Sequence, residues 1–455
     1  METLDSTVIA NALPAMARSL HQDPLHLSLA ISCYLLGLSV FIPASGWIAD
    51  RYGARRVFRN AIVVFVIGSA ACAAAQNIGE LILARVVQSV GGALMVPVGR
   101  LVLLRQVPKH DLVAAMSYVT IPALVAPIVG PPLGGLIVTY FSWRWIFLIN
   151  LPIGLLGYWL VTRFIKESAA ARPQRFDLPG WLLLGFGLAG AVFGFENLGK
   201  HILPSGLPPL AMAAGGVLLM LYVRHARTVP APIVRLSPLA LDTFRVSVVG
   251  GSLVRIGVGA NSLLMPMMLQ IGFGLSALAS GLLTFSGAVG AIAMKTVARR
   301  LTRQIGFRRL MIGANLASAT LLAASGLLRP GTPHTYIVAL LLLSGFFLSL
   351  QFTCVNTLAF SDVSERDMSQ ATTLASTGQQ LAMSVGIGVG SQVLNLSSAA
   401  RHATDLSVGD FSVAFCIAAL ISLLAQLSFG SLKPHAGSNV SGHRASGGPA
   451  RMVDP

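Results

Sequence analysis

Two ionisable residues stand inside segments that are otherwise mostly apolar. Asp5 lies in the run that extends to about Ser19, and Arg85 lies about seven residues into the run that opens near Gly79. A carboxylate held at membrane depth costs at least ~2.5 kcal/mol. Desolvation favours its protonated form, so it changes charge state when water or a cation reaches it. A guanidinium is permanently charged. Moving one toward or away from such a carboxylate therefore releases or takes up a proton. The plainer alternatives are a helix N-terminal surface charge for Asp5 and a structural pair for Arg85. Arg255 stands alone in a later apolar segment, with a cavity-lining reading and a structural one evenly matched.

A third group of charges is concentrated in one turn. Gly46–Arg56 reads Gly-Trp-Ile-Ala-Asp-Arg-Tyr-Gly-Ala-Arg-Arg, preceded by 26 residues without Asp, Glu, Lys or Arg (Pro24–Ala49) and followed by another 20 (Asn60–Gly79). So tight a connection makes its flanking segments antiparallel neighbours. Asp50 with Arg51, Arg55 and Arg56 reads as a switchable ion cluster between Gly46 and Gly53, with Arg100 as a further partner; a solvated loop is the bland alternative. Gly130-Pro131 with Gly134-Gly135 predicts a bent helix that packs closely on its neighbours.

The segments that position these residues are membrane spans. The 455 residues are 54% hydrophobic and 11% charged, with mean hydropathy +0.74; a soluble domain carries about 25% charged residues. Several uncharged runs exceed the ~20 residues a crossing needs, and without the alternating pattern of a barrel they must be helices. Fourteen are expected: 2–19, 26–48, 57–76, 79–104, 110–140, 144–164, 178–197, 207–223, 244–271, 275–298, 308–328, 334–360, 367–396 and 410–431. The net charge of +16 is a matter of topology and implies no nucleic-acid partner. With the Gly46–Arg56 turn in the cytoplasm, 25 of the 32 Lys and Arg fall on that side and five on the other. This bias places both termini in the cytoplasm. Cys33, Cys72, Cys354 and Cys416 are scattered in apolar segments with no disulfide or metal spacing.

The halves echo one another. Arg299–Arg309 repeats the first turn, with Gly306 for Gly53 and Arg308-Arg309 for Arg55-Arg56, but Arg303 where Asp50 would be. Only the first turn is therefore expected to carry a switchable gate contact. Residues 1–165 form one six-helix bundle and 239–431 the other. Residues 166–238 hold two inserted helices, and 432–455 read as a disordered cytoplasmic tail. Repeated halves with a site between them are a transporter architecture.

The turn resembles the signature loop of the major facilitator superfamily, carried here by Gly46, Asp50, Arg51, Gly53, Arg55 and Arg56. Leu4-Asp5-Ser6-Thr7 with Ala12-Leu13-Pro14, Arg85-Val86-Val87-Gln88-Ser89-Val90-Gly91 and Gly130–Gly135 resemble motifs of that superfamily's fourteen-helix drug:proton antiporters of the EmrB/QacA type. The resemblance implies an all-α polytopic fold of two six-helix bundles plus two inserted helices. It further implies proton coupling at Asp5 and Arg85, a cytoplasmic gate at the turn, and antiport through Gly130, Pro131, Gly134 and Gly135. Three departures stand out. Asn11, not residue 10, carries the first motif's amide, which turns it ~100° around the helix. Ser89 replaces a glycine, which should widen a helix contact. The chain also begins four residues before Asp5, where the family has a basic segment and half a helix, so a mis-assigned start or a truncated chain is expected; intact mass would decide it.

The substrate cavity is drawn from Gln88, Arg255, Met265, Met268, Gln270, Gln351, Asn356, Gln379 and Gln380. Methionines adapt to varied shapes and uncharged polar groups fix orientation, although methionines at this depth more often simply pack. No phosphate loop is present, so pumping would draw on a proton gradient, without a cofactor. The expectation is an exporter of small amphipathic compounds in a bacterial inner membrane, surrounded by lipid, with a periplasmic adaptor left open. A metabolite importer and a non-transporting sensor or scaffold are the alternatives.

Overall fold

The computed structural model describes residues 1–106, 129–130, 132–165, 175–198, 204, 206–230, 232–364, 368–402, 405–433 and 436. Helices α1 (Glu2–Leu20), α2 (Pro24–Tyr52), α3 (Ala54–Ala74) and α4 (Ile78–Gln106) are joined by turns of at most three residues. Helix α5 occupies 132–140. Helices α6 (Trp145–Leu148) and α7 (Asn150–Phe164) follow as one apolar stretch broken at Ile149, and α8 (Leu178–Asn197) and α9 (Leu207–Thr228) pack together as a pair. The second set is α10 (Asp242–Met267), α11 (Ala277–Ile305), α12 (Phe307–Ser325), α13 (His334–Ala359), α14 (Met368–Ala400), α15 (Val408–Leu423) and α16 (Ala425–Gly430). No strand occurs among the described residues.

Ten stretches among the described residues are long and apolar enough to cross a membrane. Their outer faces carry apolar side chains such as Leu83, Met220 and Leu427, the last 78% exposed, which lipid covers and water would not. The expected fourteen crossings are not reached on this measure. Helix α1 carries charge near its start, α12 opens on Arg308-Arg309, and α14 is diluted by Thr372, Thr373, Gln379 and Gln380. Most of the fifth expected helix, 110–140, lies outside the described residues, as do Pro131, all of 166–174, and all of the tail but 432, 433 and 436.

The repeat is visible in the packing. Helix α4 lies against α2 and α3, and α13 lies against α11 and α12; α3 packs on α7 as α12 packs on α15. The paired turns have the same backbone. Gly53 (φ 88°, ψ 129°) and Gly306 (φ 79°, ψ 158°) each open the next helix from a conformation that glycine alone adopts cheaply. Two residues on, Arg55 donates to the carbonyl of Thr162, and Arg308 Nη2 donates to that of Gly430 at 2.9 Å. Each arginine thus reaches the last turn of the final helix in its set, where carbonyls lack intrahelical partners.

The two sets meet through α2 against α14 and through α1 against α10 and α11. Helix α8 sits on both sides of that seam. Trp181 Nε1 donates to Val40 O on α2 (3.0 Å), and Gln392 Nε2 of α14 donates to Phe195 O (2.8 Å).

Candidate functional site

Asp5, on α1, is 2% exposed and Arg85, on α4, is wholly buried. Eighty residues apart in sequence, they meet at 2.5 Å between Arg85 Nη1 and Asp5 Oδ2. Gln88 lies one turn beyond Arg85 on the same face. Its Nε2 donates to Asp5 Oδ1 (3.0 Å) and to Ser69 Oγ on α3 (2.7 Å), while its Oε1 accepts from Arg85 Nη1 (2.6 Å). Asn150, the first residue of α7, adds a donor from the opposite side, Nδ2 to Asp5 Oδ1 at 3.0 Å. Asn150 is buried and stands directly after the break between α6 and α7 at Ile149. Arg85 Nε donates to Ala30 O on α2 (3.2 Å), and its guanidinium carbon lies 4.1 Å from the Tyr34 ring centroid and 5.8 Å from that of Phe147.

The carboxylate therefore takes a charge-assisted bond on one oxygen and two amide donors on the other, in a site without water access. Arg85 Nη2 and Asn150 Oδ1 remain buried without a hydrogen-bond partner. Rotating the Asn150 amide would present an acceptor to Asp5, so this side chain can serve both the ionised and the protonated acid. Ser69, Asn150 and Tyr34 had no signal in the sequence: small polar groups and a tyrosine in apolar helices ordinarily read as packing. Gln88, grouped by sequence with the substrate cavity, is part of this cluster.

The helices close here through small residues. A Cβ on Gly91 of α4 would come within 2.5 Å of Phe65 N on α3. Ser89 does not widen the α2–α4 contact, because Gly37 of α2 faces it: a Cβ there would lie 1.9 Å from Ser89 Oγ. On α5, Gly134 abuts Val8 O of α1 and Gly135 abuts Ala277 O of α11, each closer than a Cβ would permit (2.7 and 2.5 Å). Leu278 N donates to Thr139 Oγ1 at 3.2 Å. This stretch therefore joins the first set of helices to the second at the end remote from the Gly53 turn.

At the turn itself, Gly46 and Arg51 are exposed and Arg55 is committed to Thr162. The side chains of Asp50 and Arg100, and those of Ala10 and Asn11, lie outside the described residues. In the second set, Arg255, Asn356 and Gln379 line one small pocket. Met265 and Met268 are instead buried in the core, and Met268 opens a π turn (Met268–Gly272) that includes Gln270 and follows Pro266. Gln351 is buried with neither amide atom hydrogen-bonded, and Gln380 is half-buried.

The sequence model of the Major Facilitator Superfamily matches residues 1–387 and again 247–451. The chain belongs to the major facilitator superfamily. It is 38% identical over 402 residues to the "Putative multidrug resistance protein MdtD" of Pectobacterium carotovorum subsp. carotovorum, covering 88% of this chain and 85% of that one. Among solved structures it resembles the xylose transporter XylE from E. coli, with TM-score 0.62 and 16% identity over 95% and 94% of the two chains. A POT family transporter in complex with a thioalcohol-conjugated peptide gives TM-score 0.68 and 14% identity over 94% and 93%. These likenesses show the fold: a multi-pass, all-helical major facilitator transporter.

Proposed function

We propose that this major facilitator transporter is a proton-coupled exporter of amphipathic organic compounds, working by drug:proton antiport in a bacterial inner membrane. The observation that carries the reading is the buried Asp5–Arg85 pair with Gln88 and Asn150 on the same carboxylate. With Asp5 ionised, the pair locks α1 to α4 and, through Asn150, to α7. A proton arriving at Asp5 removes the negative charge, and Arg85 Nη1 loses its ionic partner. Asn150 can then turn its carbonyl to the new hydroxyl. Helix α1 also packs on α10 and α11 of the other set, so loosening its hold on α4 reaches the seam along which two bundles, 1–165 and 239–431, would rock.

The name of the relatives, at 38% identity, supports export of drug-like compounds. The Gly134-Gly135 contact with α11 supports a closure at one end of the seam. Fourteen crossings, with 166–238 as an inserted pair and both termini in the cytoplasm, is the topology that accommodates α1, α5, α12 and α14 as spans. Reconstituted protein under an imposed pH gradient tests the reading. Adding an amphipathic compound should release protons, and Asp5→Asn should abolish that release while the variant still folds, at a lower melting temperature. Compound-independent flux, or full coupling in Asp5→Asn, would overturn it.

A further inference from the structure

We infer that the pocket around Arg255 is an anion-binding subsite, and that it selects substrates bearing a carboxylate on an apolar body. The inference rests on the exporter reading and names its substrate class. Arg255 stands midway along α10, about 20 Å from its first residue, and is 7% exposed. Its polar contacts among the described residues are neutral acceptors: Gly251 O on Nη1 at 3.2 Å and Asn356 Oδ1 on Nη2 at 3.2 Å. The guanidinium lies 4.8 Å from the ring centroid of Phe352. Among the described residues no carboxylate pairs with it, in contrast to Arg85, whose charge Asp5 neutralises. A buried charge balanced only by dipoles is costly, and an incoming anion would complete it.

The pocket is built for such a headgroup. Its polar lining is Ser247, Ser252, Asn356 and Gln379, and no acid lies among its lining residues. Ser247 Oγ is fully buried, lines this pocket and has no hydrogen-bond partner. It is a second donor for an oxyanion. Asn356 is exposed at the pocket's edge. Val248, Val355 and Phe360 supply apolar wall. The free space is about 10 Å³, the room of roughly one water, which fits a carboxylate oxygen and not a whole amphipath. The apolar body would therefore lie outward, past Asn356. A planar carboxylate meets a guanidinium with two parallel bonds, whereas an ammonium headgroup would be repelled.

The test uses full-length protein in zwitterionic nanodiscs and three probes of matched shape: 2-naphthoate, 2-naphthylmethylammonium and 2-naphthylmethanol. Calorimetric titration should show naphthoate binding about tenfold or more tighter than either other probe. Arg255→Gln should remove that preference and Arg255→Lys should restore part of it. Ser247→Ala should weaken naphthoate alone. Equal binding of the three probes to the unmodified protein overturns the inference without recourse to any variant. So does naphthoate preference that survives Arg255→Gln. Inorganic phosphate that binds as tightly as naphthoate, or anionic-lipid nanodiscs that abolish the naphthoate signal, would give the site to a free ion or a lipid headgroup and likewise overturn it. Binding is read without pumping, and the preference for naphthoate is a comparison of probes on the same protein. Failure of proton coupling and failure of anion selection are therefore separate results.

Discussion

Asp5 and Arg85 are each too costly to bury alone, and this separates their structural role from their coupling role. Removing one partner of a buried pair costs about 3–5 kcal/mol, because the other charge is left uncompensated, whereas removing both costs far less. Asp5→Asn and Arg85→Gln should each lower the melting temperature of purified protein, and the double variant should recover most of that loss. None of the three should release protons when substrate is added. A double variant that pumps would reduce the pair to a structural strut. Asn150→Leu keeps both charges but removes a donor to Asp5 (3.0 Å) and the acceptor that its rotation would offer. Coupled efflux should fall about tenfold with little change in melting temperature, and unchanged efflux would remove Asn150 from the mechanism. The two charges were legible in the sequence because charge in an apolar run has no cheap explanation. Asn150 was not, since its role depends on a chain break between α6 and α7 and on a partner 145 residues away.

Helices were legible wherever apolar runs met turn residues, and the equivalence of Gly53 and Gly306 was legible from spacing. Their interruptions were not. The break at Ile149 comes three residues before Pro152, which lacks the N–H that would reach Leu148 O, but a proline in an apolar run reads equally as a kink within one helix, and the break at Leu424 lies within an apolar run. The π turn follows Pro266, whose missing N–H loosens the helix, but proline alone does not say which alternative the chain takes. The sharpest consequence at this scale lies at Gly135. A side chain there meets the backbone of Ala277 and Leu278, which cannot move without shifting α11. Gly135→Val should part α5 from α11. In a background with the four native cysteines replaced, Thr139→Cys should then label faster with a membrane-impermeant maleimide applied from the side opposite the Gly53 turn. Labelling no faster than in the Gly135 background would mean that this contact does not seal that end.

For the whole molecule, orientation rests on charge and parity together. In the proposed fourteen-helix topology twenty-five Lys and Arg fall on the cytoplasmic side against five, an asymmetry that survives only if each helix reverses the side of the next loop, so one missed crossing would scramble it. The inserted hairpin α8–α9 preserves the alternation because it adds two crossings. Trp181 ties α8 to α2 and Gln392 of α14 reaches Phe195, so the proposed rocking of the bundles would shift or break one of these bonds. Helices α1, α12 and α14, which fall short of the apolar criterion, decide the count together with the fifth expected helix, and α12 is the most informative. Its start at Phe307 adjoins the arginine-rich turn, and its end is followed by a loop with the single basic residue Arg329. If α12 crosses, alkaline phosphatase fused after Gly306 should be inactive and a fusion after Thr332 active, because the enzyme folds only once exported. A fusion after Lys433 should be inactive, with the C-terminus in the cytoplasm. Equal activity at Gly306 and Thr332 would show that α12 lies on one side of the membrane, and the parity that places every later loop would then fail with it.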